Sequence, residues 1–164
     1  MKMKTKDNLM GGFAGESQAN RKYTAFAEVA EQEGHKDIAR LFLCTAEAEN
    51  IHAVAELKLA GKVNDTAENL KAAIEGETYE FSEMYPDFEK TAVEEDQKQA
   101  VRIFQLAKEA EKVHAKLYQD ALDNLGTETG VAYFLCPVCG YIEKYQAPDT
   151  CPICKAKGSI FKKF

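Results

Sequence analysis

At 164 residues, with 45% hydrophobic and 29% charged side chains and a formal charge of −6, the chain has the make-up of a globular protein of one domain, or one domain with a small appendage. Its acidity argues against nucleic acid or an anionic membrane surface as a partner, and no apolar run approaches the roughly 18 residues that span a bilayer. MKMKTKDNLM is basic with no apolar segment behind it and does not read as a secretory signal, so a cytoplasmic location is expected.

In chain order, the hydrophobic periodicity and turn residues predict four long helices. The first runs from about Lys6 to Gln32 and stops at the glycine of EQEGHKD; the second covers about Lys36–Leu59 and ends at Gly61. GKVNDTAEN offers Asp65 or Thr66 as the N-cap of a third, which reaches about Val93 with a bend near Pro86. A fourth spans about Asp96–Leu125 and ends at Gly126. The expected architecture is an all-α four-helix bundle over residues 1–130.

Beyond GTETG the character changes. Residues 131–164 are rich in turn residues and aromatics, lack a helical period, and carry five lysines (144, 155, 157, 162, 163) against Glu143 and Asp149. They are therefore net positive, at +3, while the bundle segment is at −9. So short a segment cannot build its own core, and a metal or disulfides must hold it together.

The inward stripes of the helices are interrupted by ionisable residues. The first reads Leu9, Phe13, Glu16, Asn20, Tyr23; the second Phe42, Thr45, Glu49, His52, Glu56; the third Leu70, Ile74, Glu77, Phe81, with Glu80 beside the line; the fourth Phe104, Ala107, Glu111, His114, Tyr118. Every stripe carries a glutamate and two carry Glu-x-x-His. Burying even one unpaired carboxylate costs several kcal/mol, more than a fold with roughly 5–15 kcal/mol of net stability can carry fourfold. No Lys or Arg falls on these stripes, so a cation must compensate. Five glutamates (16, 49, 77, 80, 111) and two histidines (52, 114) suit two divalent ions, and the mixed O/N donor set favours iron or manganese. His35, in the Gly34 turn, is expected at the surface. The helix pairs look duplicated, because the interval from Glu16 to Glu49 is nearly that from Glu77 to Glu111, one position shorter. Glu80 has no counterpart in the first half, which implies two inequivalent metal positions.

Five cysteines remain. Cys136, Cys139, Cys151 and Cys154 form two Cys-x-x-Cys knuckles that can wrap one ion tetrahedrally, and spacing alone leaves zinc and iron open. Cys44, in the apolar run LFLC, is expected to be a buried structural thiol.

With these residues in view, the chain resembles the rubrerythrin family along nearly all its length, through AGESQANRKY, AEAENIH, GETYEFSEMYPDF, AKEAEKVH and CPVCGY…APDTCPIC in that order. The resemblance implies a ferritin-like di-iron bundle over 1–130 and a rubredoxin-like iron module over 131–164. It favours iron over zinc at the cysteines. It also implies reduction of hydrogen peroxide to water, as protection against oxidative stress. Electrons would arrive from an external donor such as a rubredoxin or its reductase. By the same resemblance Glu49 and Glu111 bridge the metals, Glu77 and His114 bind one iron, and Glu16 binds the other. That second iron exchanges Glu80, when oxidised, for His52, when reduced. Tyr23 and Tyr85 match the family's tyrosines beside the site. Iron oxidation and storage, or a redox sensor or electron carrier without turnover, are the alternative functions.

One feature departs from a ferritin-like chain, whose second and third helices run the same way and need a long crossover. Six extended residues reach about 20 Å, whereas a helix of roughly 24 residues is about 36 Å long. The short GKVND connection therefore means either an up-and-down bundle or a domain-swapped homodimer, and the second is expected.

Overall fold

The computed structural model describes residues 2–127 and 130–164; Glu128 and Thr129 of the GTETG linker lie outside them. The chain forms two compact units, the first ending at Asn64 and the second covering Asp65–Phe164.

The first unit is a pair of helices, α1 (Met3–Gln32) and α2 (Lys36–Leu59). Gly34 takes the left-handed conformation (φ 83°), and the amides of Gly34 and His35 donate back to the carbonyls of Glu31 and Ala30 at 3.1 and 2.8 Å. This satisfies the last carbonyls of α1 and turns the chain sharply into α2. His35 is exposed at the turn. Gly61 (φ 69°) closes α2 the same way. The seam between the helices is made of alanines: Ala27 and Ala30 on α1, and Ala39, Ala46 and Ala53, with Ala60 just beyond, at a heptad repeat along α2. Small side chains let the backbones approach, and Asn20 donates its side-chain amide across to the carbonyl of Ala46 at 2.6 Å. The expectation that Cys44 is buried fails, because this thiol is exposed. At about 100° per residue, position 44 lies roughly 200° around the helix from Ala46 and so faces away from the seam.

The second unit opens with α3 (Thr66–Tyr79), whose N-cap Asp65 accepts from the amide of Glu68 at 2.9 Å. A π-helical turn, Glu80–Met84, follows, and then α4 (Tyr85–Glu94). Pro86 has no N–H with which to close a regular turn onto Ser82, and the helix widens just ahead of it. Asp96 (φ 50°) ends α4 with the same closure glycine makes at residue 34, the Gln97 amide reaching the Ala92 carbonyl at 2.8 Å. The chain then enters α5 (Lys98–Asp123). Glu89 ties α4 to α5 by accepting from Gln105 at 2.6 Å and pairing with Lys108.

The cysteine module forms a three-stranded antiparallel sheet, β1 (Tyr133–Leu135), β2 (Ile142–Lys144) and β3 (Lys162–Lys163), in the order β2-β1-β3. Its core is Cys136, Tyr141 and Cys151, joined by Ile153, Phe161 and Val113 of α5. The module therefore rests on α5, where Lys144 also pairs with Asp120 at 2.9 Å. Among the described residues, no helix is long and apolar enough to cross a membrane.

Candidate metal centres

Each helical unit carries one Glu-x-x-His motif and one further glutamate, and each set converges. Glu16, Glu49 and His52 offer ligand atoms within 4.8 Å of one another in the first unit, as do Glu77, Glu111 and His114 in the second. Helical spacing does this locally: residues three apart share a face, so His52 Nδ1 lies 3.1 Å from Glu49 Oε2 and His114 Nδ1 lies 2.6 Å from Glu111 Oε2. Glu77 Oε2 approaches His114 Nδ1 to 3.6 Å from α3.

The two units repeat each other closely. Tyr23, Phe26 and Phe42 form an aromatic triangle with centroid separations of 6.2, 6.2 and 5.6 Å. Tyr85, Phe88 and Phe104 form another with the same separations. Each ring of the second triangle stands 62 positions after its counterpart, as do Glu111 after Glu49 and His114 after His52, but Glu77 stands only 61 after Glu16. The extra residue falls between Glu77 and Tyr85, where the π-turn lies and where a π-turn absorbs one residue without unwinding the helix. Glu80, the glutamate without a counterpart, opens that turn. It stands outside the three-residue convergence, yet burial and then the charge of Glu111 raise its carboxyl above the ordinary range.

The electrostatics are those of acids crowded without a counter-charge. A hydrogen bond shared with Glu49, then burial, raises the Glu16 carboxyl. Burial and a hydrogen bond with Glu111 push Glu77 up to about 7. Tyr85 is raised by burial and then by the charges of Glu111, Glu80 and Glu77, which keeps its hydroxyl protonated. Among the described residues neither Tyr23 nor Tyr85 hydrogen-bonds to these carboxylates; both rings pack in the aromatic triangles.

His114 carries the clearest test of whether these residues suit a metal. Its Nε2 lies 2.8 Å from the Gly140 carbonyl oxygen. A carbonyl only accepts, so Nε2 donates to it, and Nδ1 is the nitrogen that faces the oxygens of Glu111 and Glu77. Nδ1 and a carboxylate oxygen 2.6 Å apart need a proton or a metal cation between them, and a carbonyl partner on the far nitrogen is the usual support of a metal-binding histidine.

In the module, Cys136, Cys139, Cys151 and Cys154 converge within 4.8 Å, with Sγ–Sγ distances of 3.5 Å for 136–154 and 3.6 Å for 139–151. A tetrahedral ion with metal–sulfur bonds of about 2.3 Å has edges of about 3.8 Å, so the donors stand ready for one. Burial raises the Cys139 and Cys154 thiols, while the amides of Val138 and Cys139 overcome burial at Cys136 and lower it.

One feature had no signal in the sequence, and a second, Glu56, stands on the inward stripe of the second helix but outside the expected ligand set. The contact of His114 with Gly140 joins positions 26 apart through a backbone atom, and nothing in either motif marks it. Glu56, two turns beyond Glu49, has a buried Oε2 without a hydrogen-bond partner among the described residues, and its charge adds to the rise at Glu16. Its carboxylate lies over Gly12, where a Cβ would stand 2.2 Å from Oε1.

These features define a class: a helical non-haem metalloprotein in which glutamate–histidine sites accompany a four-thiolate module. The family model described as Rubrerythrin matches residues 7–122, and that described as Rubrerythrin, rubredoxin-like domain, matches residues 134–162. Nigerythrin of Nitratidesulfovibrio vulgaris is 41% identical over 92% of this chain and 81% of its own length. Rubrerythrin-2 of Clostridium acetobutylicum is 38% identical over 98% and 96%. A solved structure of nigerythrin in a mixed-valence state aligns with a TM-score of 0.61 at 40% identity, covering 98% of this chain and 86% of that one. The chain belongs to the rubrerythrin family. Its cofactors are therefore a di-iron site and a rubredoxin-like iron bound by the four cysteines, and its class is that of oxidoreductases.

Proposed function

We propose that this protein is a peroxidase that reduces hydrogen peroxide to water, taking two electrons and two protons per peroxide. Glu16, Glu49, Glu77, Glu80, Glu111, His52 and His114 hold two irons, and Cys136, Cys139, Cys151 and Cys154 hold a third. When bound, the paired irons supply the two electrons that cleavage of the O–O bond requires. An external donor refills the centre one electron at a time through the cysteine module, in a reducing compartment such as the cytoplasm. The observation that carries this reading is His114, whose ring touches the Glu77–Glu111 carboxylates on one side and the Cys139–Gly140 knuckle on the other. An iron store or ferroxidase takes electrons from incoming iron and has no use for that link.

The residues divide the work. Glu49 and Glu111, one from each helix pair, would be shared by both metals. The Gly140 carbonyl holds His114 in one tautomer and orientation, suiting it to a permanent ligand. His52 is more exposed, and its one hydrogen bond among the described residues is to Glu49, so it is free to bind and release. Glu80, set forward by the π-turn, is the carboxylate that would take its place at the metal. The Tyr85 hydroxyl, kept protonated by burial and three neighbouring carboxylates, donates to peroxide oxygen, and Tyr23 does so from the equivalent place on α1.

The active form is a homodimer in which α1 and α2 of one chain complete the bundle with α3–α5 of its partner. Two facts support this. Only the segment from Ala60 to Asp65 separates α2 from α3, too little chain to run back along a helix of that length. Ile38, Leu41 and Leu59 are exposed on the side of α2 that carries His52 and Glu56, where a partner's helices would cover them. A crystal structure in which one chain supplies all seven ligands would overturn the swap.

The activity is tested by reducing the purified protein anaerobically and adding peroxide or oxygen while following its visible spectrum. Rapid reoxidation by peroxide, slow reoxidation by oxygen and repeated turnover with a reductant are expected. No reaction with peroxide refutes the peroxidase, and oxidation of added ferrous iron instead would make the protein a ferroxidase.

A further inference from the structure

The two cysteine knuckles, Cys136–Gly140 and Cys151–Lys155, are copies of one another. In the first, the Cys136 amide donates to the Tyr141 carbonyl at 2.8 Å and the Gly140 amide to the Cys136 carbonyl at 3.1 Å. In the second, the Cys151 amide donates to Ala156 at 2.8 Å and the Lys155 amide to Cys151 at 3.1 Å. The residue after the last cysteine is left-handed in both, with φ 82° at Gly140 and 66° at Lys155. Their surroundings are opposite. Gly140 faces α5, where a Cβ on it would stand 3.9 Å from that of Ala110, and its carbonyl accepts from His114. Lys155 is exposed, in a conformation where glycine is the default. Its ammonium returns over its own knuckle to the Pro152 carbonyl at 2.8 Å, which leaves two N–H donors for something else. Lys157, Lys162 and Lys163 are exposed on the same module, with Asp149 the one exposed acid among its described residues.

We propose that electrons leave the module through the first knuckle and arrive through the second, where Lys155 anchors a carboxylate of an acidic one-electron carrier protein. This rests on the reading of the module as the electron route to the di-iron site. The pseudo-symmetry supplies the reason: one knuckle is committed to His114, and its twin carries a fixed positive charge beside the same metal, facing solvent. A net-positive module on a net-negative chain also steers an acidic donor to this end.

The full-length, iron-loaded protein tests this by stopped flow, reading bleaching of the visible bands of the oxidised four-cysteine iron. The probes are anionic ferrous EDTA, cationic hexaammineruthenium(II) and a reduced flavodoxin of net negative charge, whose bands differ from those of the four-cysteine iron. Lys155→Glu is compared with Lys155→Gly, which restores the residue of the first knuckle, and with Lys98→Glu, at the first residue of α5 and remote from the module. At low salt, Lys155→Glu is expected to slow the anion and the flavodoxin about fivefold and to speed the cation about as much, with both effects lost at roughly 0.5 M salt. Lys155→Gly gives about half the loss for the anion, and it carries the test if the glutamate variant fails to hold iron. A changed reduction potential moves both small reductants in the same direction, so opposite shifts identify docking. Equal effects of Lys155→Glu and Lys98→Glu, shifts of the same sign for both reductants, or no effect overturn the proposal. A protein that bleaches as expected yet ignores peroxide would instead fail the peroxidase reading alone.

Discussion

His114 Nε2 stands 2.8 Å from the carbonyl oxygen of Gly140, while its Nδ1 stands 2.6 Å from Glu111. One imidazole thus spans the distance between a thiolate knuckle and a carboxylate pair. The face of α5 that carries the module (Ala110, Val113) and the face that meets α3 (Glu111) come together at this residue. On the proposed reading the hydrogen bond does two jobs: it fixes a proton on Nε2, so that Nδ1 is the nitrogen offered to a metal, and it gives a short through-bond path from Cys139.

Gly140→Ala tests that link. The left-handed φ of 82° costs a residue with a Cβ about 1–2 kcal/mol, and the added methyl meets Ala110 at ordinary contact distance. The expected result is a modest loss of stability with the module still folded. Relief of that strain turns the Gly140 carbonyl away from His114, and loss of the fixed partner of a metal-binding histidine lowers metal affinity or activity about 10- to 100-fold. Iron stoichiometry and single-turnover electron delivery read this directly. Unchanged delivery in a folded, fully loaded variant would remove the His114 contact from the electron path.

Glu77 sets a pH dependence in the metal-free protein. Its carboxyl rises from 4.5 to about 7 because of burial and the proton it shares with Glu111. The folded state therefore holds a proton that the unfolded chain releases at its ordinary value of 4.5. The resulting stability is complete below that pH and is lost as pH climbs through about 7. Chelated protein should melt at a lower temperature at about pH 8 than at about pH 6, and ferrous or zinc ions, replacing the proton, should restore more at the higher pH. A melting temperature that rises across this window in the chelated protein would contradict the shared proton.

Gly12→Ala should be tolerated despite its apparent clash. The atom 2.2 Å from the new Cβ is the far end of the Glu56 side chain, which can swing away and leave a buried position where its Oε2 has no partner among the described residues. Alanine in a helix interior is favoured over glycine by about 1 kcal/mol, so the variant is expected to match or exceed the parent by up to about that amount in denaturant melts. A loss of about 2 kcal/mol or more, the size of a broken charged hydrogen bond, would show that the Glu56 carboxylate is held in place by something it binds.

What the sequence makes legible follows from how local each feature is. Gly34 and Gly61 end helices through bonds to residues at most five positions back, so those ends are readable. Glu-x-x-His and Cys-x-x-Cys close their sites within one turn and are readable for the same reason. Pro86 marks an irregularity, but the π-turn itself is encoded as a single-position difference between the Glu16–Glu49 and Glu77–Glu111 intervals, which becomes meaningful once the repeated aromatic triangles fix the offset between the two halves. Cys44 misleads because an apolar run contains both faces of a helix, and only the alanine seam tells them apart. The seat of the module on α5 joins residues far apart in the chain, Val113 in its core, Lys144 on Asp120 and the Gly140 carbonyl on His114, and no local pattern marks such contacts.

Complementation separates the two possible bundles. One variant loses the first half-site through Glu49→Ala and His52→Ala, and a second loses the other through Glu111→Ala and His114→Ala. Each alone should be inactive. If helix pairs are exchanged, a mixed dimer contains one site built wholly from intact helices and one built wholly from altered ones. Random mixing makes half of the dimers mixed, so co-expression should recover about a quarter of the parental sites, measured as peroxide turnover and as di-iron content. If every bundle is built within one chain, each site keeps one damaged half whatever the mixture, and recovery is nil. The outcome depends only on which chain supplies which helices, because the two variants share the same module, linker and exposed faces.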